Sequence, residues 1–356
     1  MTDASTRGDG ARERLMAEAA ERILISDGAF GTQIQNRKLE EKDYAGDLGL
    51  TADQKGNNDI LALTRPDVIE DITRAYFDAG SDIVATNTFS ANRISQADYN
   101  AEGKVEAINV ESARIACELA QEYAEKDGRP RFVAGAIGPT NKTLSLSPDV
   151  EDPGYREITF DHLVDVYHEQ AAALVKGGAD FILIETVFDT LNAKAGIFAV
   201  KKLEREVGHE VPIMMSMTLT DLSGRNLSGH TVEAFWHSVR HAKPVTIGLN
   251  CSFGAEQLRP HVQLLAKLAD TLVMVYPNAG LPNELGEYDE APETTAELVT
   301  KWATNGNVNI LGGCCGSTPE HIAAMARAVD GLAPRTLAEA KPAMRLAGLE
   351  PFEIAA

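Results

Sequence analysis

The sequence predicts an α/β chain folded as a (β/α)8 TIM barrel, and two observations carry that prediction. Eight short apolar runs recur along the 356 residues, and a helical pattern follows each of them. The rival architecture, an open doubly wound sheet, usually has fewer strands and a glycine-rich phosphate loop after the first. The chain contains neither G-x-G-x-x-G nor G-x-x-x-x-G-K-[ST].

The runs are ILISDGA (23–29), DIVATNTF (82–89), FVAGAIGP (132–139), FILIETV (181–187), PIMMSMTL (212–219), TIGLNCS (246–252), LVMVYPNA (272–279) and VNILGGCC (308–315). Each is rich in Val, Ile, Leu or Met and free of charge until its end, as a parallel strand buried on both faces reads. The intervening helices have their own punctuation. Pro66 opens one that Gly80 stops. Val105, Ile108, Ser112, Ile115 and Leu119 recur at spacings of three and four in 104–125. Thr159 caps 159–177, Asp189 starts the next, and 230–242, 255–269, 292–304 and 318–330 follow the same logic. Residues 1–22 read as an N-terminal helical extension, 23–332 as the barrel and 333–356, with three prolines, as a linker-like tail. The longest connection, 36–64, is polar and irregular and is expected to lie over one end of the barrel.

Asp and Glu outnumber Lys and Arg by 53 to 33, a net charge of −20. That excess argues against a nucleic-acid partner, which needs clustered cations, and against an anionic membrane surface. No run approaches 18 apolar residues, and the polar N-terminus is no signal peptide. Four cysteines are too few for a disulfide framework, and reduced thiols fit a cytoplasmic location.

In such a barrel, chemistry collects at the C-terminal ends of the strands. Three of the four cysteines fall there: Cys251 ends the sixth run, and Cys314 and Cys315 end the eighth. Three thiolates fit a tetrahedral zinc site with one position open, the catalytic rather than the structural arrangement. Flanking glycines let the adjacent pair both turn inward. Cys117, amid alanines in a helix, reads as a core residue. Asp27 and Glu185 are acids at otherwise apolar strand ends. Their burial is costly unless a cation pairs with them, either a barrel Lys or Arg or a cationic group of a ligand. The turn from Gly28 to Gly31 exposes backbone amides suited to a carboxylate. The histidines lie mostly on helices and read as surface or packing residues.

These residues resemble a known family, the zinc-dependent homocysteine S-methyltransferases, and within it the homocysteine-binding module of cobalamin-dependent methionine synthase. The resemblance runs from about residue 20 to the end. Its carriers are SDGAFGTQIQ (26–35), KGNNDIL (55–61), NTFSANRISQADY (87–99), GAIGPTNKTLSLSPDVEDP (135–153), ETVFDTLNAKA (185–195), GLNCSFG (248–254), PNAGLPNELGEYD (277–289) and GGCCGSTPEHI (312–322).

The resemblance implies that Cys251, Cys314 and Cys315 hold zinc and that Asp27 and Glu185 take the amino group of homocysteine. It implies that the backbone at Ala29 and Phe30 takes the substrate carboxylate. Ala29 departs from the second glycine common in this branch, a change a backbone contact survives. The implied methyl donor is methylcobalamin on a separate module or subunit, giving methionine. The tail MRLAGLEPF (344–352) resembles the linker to a folate-binding module, yet neither a corrinoid-binding D-x-H-x-x-G pattern nor a folate module is present. The chain is therefore expected to be a piece of a longer enzyme or one subunit of a split one, partnered by corrinoid-binding and folate-binding modules. Two alternatives stand beside this reading: direct methylation from a small sulfonium or betaine donor, and a non-catalytic zinc-stabilised binding barrel. Finally, Asn278 ends the seventh run, between the cysteine-bearing sixth and eighth. Its amide oxygen is expected to cap zinc in the substrate-free state and to give way to the substrate sulfur.

Overall fold

The computed structural model describes residue 8, residues 10–339 and residues 342–354. Eight strands form the expected barrel: β1 (Leu24–Ile25), β2 (Ile83–Ala85), β3 (Phe132–Ile137), β4 (Phe181–Val187), β5 (Ile213–Met217), β6 (Thr246–Gly254), β7 (Leu272–Asn278) and β8 (Ile310–Leu311). They pair parallel in the order β1-β8-β7-β6-β5-β4-β3-β2, and a parallel bridge between Ser26 and Ile83 joins the two ends of that order. Helices Pro66–Asp78, Val105–Asp127, Phe160–Lys176, Thr190–Val207, Val232–Val239, Ala255–Leu268, Pro292–Thr304 and Pro319–Val329 separate the strands and follow the last, each within a few residues of its expected span.

Side chains two apart on the strands point into the barrel. Leu24, Ile83, Phe132, Ala134, Phe181, Leu183, Met214, Leu272, Met274 and Ile310 form one buried interior cluster. The helix Ala11–Glu21 closes its lower end with Ala11, Leu15 and Ala19. Arg22 locks that end through paired bonds of 2.8 and 2.9 Å to Asp82. The larger cluster lies between strands and outer helices. With the floor sealed, the open end of the barrel is the C-terminal face.

The barrel wall leaves no room at Gly248 of β6. A Cβ there would sit 1.6 Å from the Met274 carbonyl oxygen of β7. Gly248→Ala therefore has to spread β6 from β7, a backbone shift rather than a side-chain adjustment. It is expected to cost more than about 3 kcal/mol in urea denaturation, the upper range for overpacking.

The connection 36–64 does lie over one end, and it contains short helices at Glu41–Ala45 and Leu61–Thr64 joined by a turn at Asn58–Ile60. The tail carries more structure than a linker. The Arg335 side chain is buried and donates to the carbonyls of Ala266, Ala269 and Thr271. Two strands, β9 (Met344–Ala347) and β10 (Pro351–Ile354), pair antiparallel beside the helix Val232–Val239. Among the described residues no helix is long and apolar enough to cross a membrane.

Candidate active site

The C-terminal face opens into a cleft of about 1410 Å³. Asp27, Ala29, Phe30, Glu185, Cys251, Cys314 and Cys315 all line it. Five of these seven stand just beyond the ends of β1 and β8; Glu185 projects from within β4 and Cys251 from within β6.

The sulfurs of Cys251, Cys314 and Cys315 lie within 4.8 Å of one another, with Cys251 and Cys315 3.7 Å apart. Backbone strain brings them there. Cys251 and Ser252 both adopt φ of +61°, in the left-handed region, and the β6–β7 register breaks between Asn250 and Gly254. Two non-glycine residues in that region cost about 1–2 kcal/mol each. On the facing strand Thr186 has φ of +54°, and the β4–β5 register shifts beside it. One side chain clamps both irregularities. Asn250 accepts from the Thr186 amide at 3.2 Å and from Ser216 Oγ at 2.7 Å, and donates to Thr186 Oγ1 at 2.9 Å. Its amide nitrogen also faces the Cys314 sulfur at 3.9 Å. On the other side, the Cys314 amide donates to the Pro277 carbonyl and the Ala279 amide donates to the Cys315 carbonyl, so the end of β7 is laced to the Cys-Cys turn.

Three thiols this close share their protons. Hydrogen bonds from Cys251 and Cys314 hold the Cys315 thiol well below the usual thiol range. The same contacts raise Cys314 well above the usual thiol range. A soft divalent cation resolves that competition by displacing the remaining protons and binding all three sulfurs as thiolates, so the donor set suits a metal such as zinc.

The two acids meet no cation: among the described residues neither Asp27 nor Glu185 forms an ion pair. Asp27 is buried and accepts from the Ala85 amide at 2.7 Å and from Ser26 Oγ at 3.2 Å. Glu185 accepts from the Tyr276 hydroxyl at 3.1 Å. Desolvation pushes each carboxyl up to about 7, and the charge of Asp27 adds to the rise at Glu185. Two ionised carboxylates facing one cleft require a positive group between them. Among the described residues the barrel-cation alternative is therefore unfilled.

Ala29 and Phe30 stand at the start of the helix Phe30–Asn36, where the first amides have no partner inside the helix. Tyr76 braces the turn by donating to the Ala29 carbonyl at 3.1 Å and packing against Gly28. Asn278, the last residue of β7, is buried and is not among the residues that line the cleft, and among the described residues its side-chain oxygen has no hydrogen-bond partner.

The model of the homocysteine S-methyltransferase family matches residues 24–329. The chain belongs to the homocysteine S-methyltransferase family. Solved structures share the fold. The homocysteine methyltransferase MmuM from Escherichia coli in its metallated form is 21% identical, with a TM-score of 0.69 over 88% of this chain and 98% of that one. The same protein in its oxidized form is also 21% identical, with a TM-score of 0.68 over 86% and 95%.

Three residues at or behind the cleft carry roles that the sequence reading does not assign. Asn250 clamps the strained strand ends, as described above. Tyr276 is buried and orients Glu185. Tyr288, on the loop after β7, packs over Gly316 beside the Cys-Cys turn and lines the cleft. A polar residue inside the barrel at Tyr276 is the one of these signals visible in the sequence.

Proposed function

We propose that this methyltransferase activates homocysteine on zinc and passes it the methyl group of methylcobalamin, carried by a corrinoid-binding module or subunit, to give methionine. The observation that carries the reading is the juxtaposition of three sulfurs within 4.8 Å of one another and two cation-free carboxyls in one cleft. Cys251, Cys314 and Cys315 would hold the zinc. Zinc, when bound, removes the proton of the homocysteine thiol, which is otherwise only a few per cent ionised at neutral pH.

The chain's own residues then have distinct tasks. Asp27 and Glu185 take the substrate ammonium, which supplies the missing positive charge. The amides of Ala29 and Phe30 take its carboxylate. Held at both ends, the substrate presents its sulfur toward the cysteines, and the sealed floor leaves the cleft mouth as the approach for the donor. The partnerless oxygen of Asn278 is the proposed fourth donor to zinc before substrate arrives. A neutral amide oxygen is a weak ligand and gives way to a thiolate. A folate-binding module or subunit would be the second partner, and the cytoplasm the compartment.

Supporting groups around a metal typically change its affinity or activity 10- to 100-fold. Asn250→Ala removes the clamp and is expected to weaken zinc binding by about that factor, read by competition with a chromophoric chelator. The donor assignment is tested by offering purified protein methylcobalamin, a small sulfonium and glycine betaine in turn. Methionine formed from methylcobalamin alone supports the proposal; methionine from a small donor alone replaces it with direct methylation.

A further inference from the structure

Among the described residues the five buried acids, with half-buried Glu185, fall into two groups. Asp82 is paired with Arg22 and also receives the Ile25 amide. Asp189 receives the Ser145 hydroxyl and the amides of Ser145, Leu191 and Asn192. Asp180 receives the Val133 amide and pairs with Arg14. These acids serve the scaffold. Those lining the cleft are treated differently. Asp27 and Glu185 lack a cation, and so does a third, Asp59.

Asp59 lies in the turn Asn58–Ile60, is 5% exposed and lines the cleft. Among the described residues its one hydrogen-bond partner from another residue is the Ser90 amide, at 3.2 Å. Burial pushes its carboxyl up to about 7. The turn beneath it is tied down by side-chain amides. Asn57 donates to Gln54 at 3.1 Å and to Gln96 at 2.9 Å, and Gln96 donates back to Asn57 at 3.0 Å. All three amides are at most 1% exposed. Asn87 donates to the Asn58 carbonyl at 2.8 Å. A buried network is thus spent on fixing a carboxylate whose donors among the described residues are neutral backbone amides, those of Ser90 and of Asp59 itself. An acceptor left short of partners destabilises the empty site, and a ligand's N–H relieves it.

The proposed reading of homocysteine already gives its sulfur, ammonium and carboxylate to other groups. The cleft also exceeds the ~300–1,000 Å³ of an ordinary small-molecule pocket, so a second reactant has room in it. We propose that Asp59 is a donor-side specificity residue, accepting an N–H hydrogen bond from the molecule that carries the methyl group. The inference rests on the proposed reading of the homocysteine place. The N–H is an amide at the edge of a corrinoid, or the ammonium of an amino-acid sulfonium.

The test is calorimetric titration of methylcobalamin, and separately of the S-methyl sulfonium of methionine, into wild-type and Asp59→Asn protein. Methionine saturates the homocysteine place so that no methyl moves. Asparagine keeps an oxygen for the Ser90 amide, and Asp59→Ala serves if the asparagine variant folds poorly. The expected result is about ten- to a hundred-fold weaker binding of one probe, with homocysteine affinity unchanged. Loss with methylcobalamin identifies the corrinoid amide, and loss with the sulfonium identifies the ammonium. The proposal is overturned if the wild type binds neither probe, if neither affinity changes, or if homocysteine affinity falls equally. Wild-type protein that binds homocysteine without metal involvement would instead count against the zinc reading and leave the Asp59 comparison readable.

Discussion

Replacing Cys314 by alanine is expected to remove the metal from the protein, from one zinc per chain to essentially none, and turnover with it. The three sulfurs are within 4.8 Å of one another, and two sulfurs cannot close the site that three share. Without the metal the substrate thiol stays mostly protonated at neutral pH, and the nucleophile is lost. Turnover should fall by more than about a hundredfold, beyond what supporting groups around a metal contribute. The barrel itself should survive. Cys314 is a small, partly exposed residue packed at the edge of the interior cluster, so its truncation costs on the order of 1–2 kcal/mol. A cooperative thermal melt with metal analysis of the same sample checks this. Stoichiometric zinc with full activity in the variant would refute the assignment.

The second large effect belongs to the carboxylates. Asp27→Asn and Glu185→Gln each remove a charge opposite the substrate ammonium. A hydrogen bond to a charged group contributes about 1.5–3 kcal/mol, so each variant should bind homocysteine ten- to a hundred-fold more weakly, with zinc content unchanged. The acids also set a pH dependence. Each folded-state pKa is raised, to about 7 from 3.8 for Asp27 and from 4.5 for Glu185. The substrate-free fold therefore holds these protons more tightly than the unfolded chain. That contribution to stability is complete below about pH 4, is lost as pH rises toward 7, and is flat above. Asp27→Asn should accordingly be more stable than the wild type at pH 8, by on the order of a few kcal/mol, while binding substrate less well. Homocysteine affinity should rise with pH through 7, because the ammonium binds the ionised pair and displaces its protons, and more shallowly above 7, where only the thiol proton is still released to solution. Unchanged affinity in both variants would assign the acids to the barrel.

The barrel was legible because parallel strands buried on both faces must be continuous apolar runs, and all eight runs became strands. The runs overshoot at β1 and β8, which keep two residues each. There the chain leaves the ladder early, into Ser26–Asp27 on one side and Gly312–Gly313 on the other, and single bonds such as Ser26 N to Leu311 O and Gly313 N to Asp27 O continue the wall. Those departures aim Asp27 and the cysteine pair into the cleft. The cysteines and both acids were legible for the same reason as the strands, since each is a chemically active residue at the end of an apolar run.

What stayed hidden depends on contacts distant in sequence. Asn250 acts on Thr186, 64 positions away, and nothing in either local segment announces the pairing. Asp59 sits in a polar connection that reads as loop, and its burial comes from an amide ladder closed by Gln96, 39 positions beyond Asn57. The tail was read through its prolines, whereas the burial of Arg335 depends on three carbonyls that only the folded barrel brings together.

The central claim is that three cysteines of this chain and the sulfur of homocysteine meet on one zinc ion. X-ray absorption at the zinc edge counts those sulfurs directly, on protein with and without saturating homocysteine. The account predicts three sulfurs and one oxygen or nitrogen before substrate, and four sulfurs after. A sulfur count that does not rise when homocysteine is bound would contradict it.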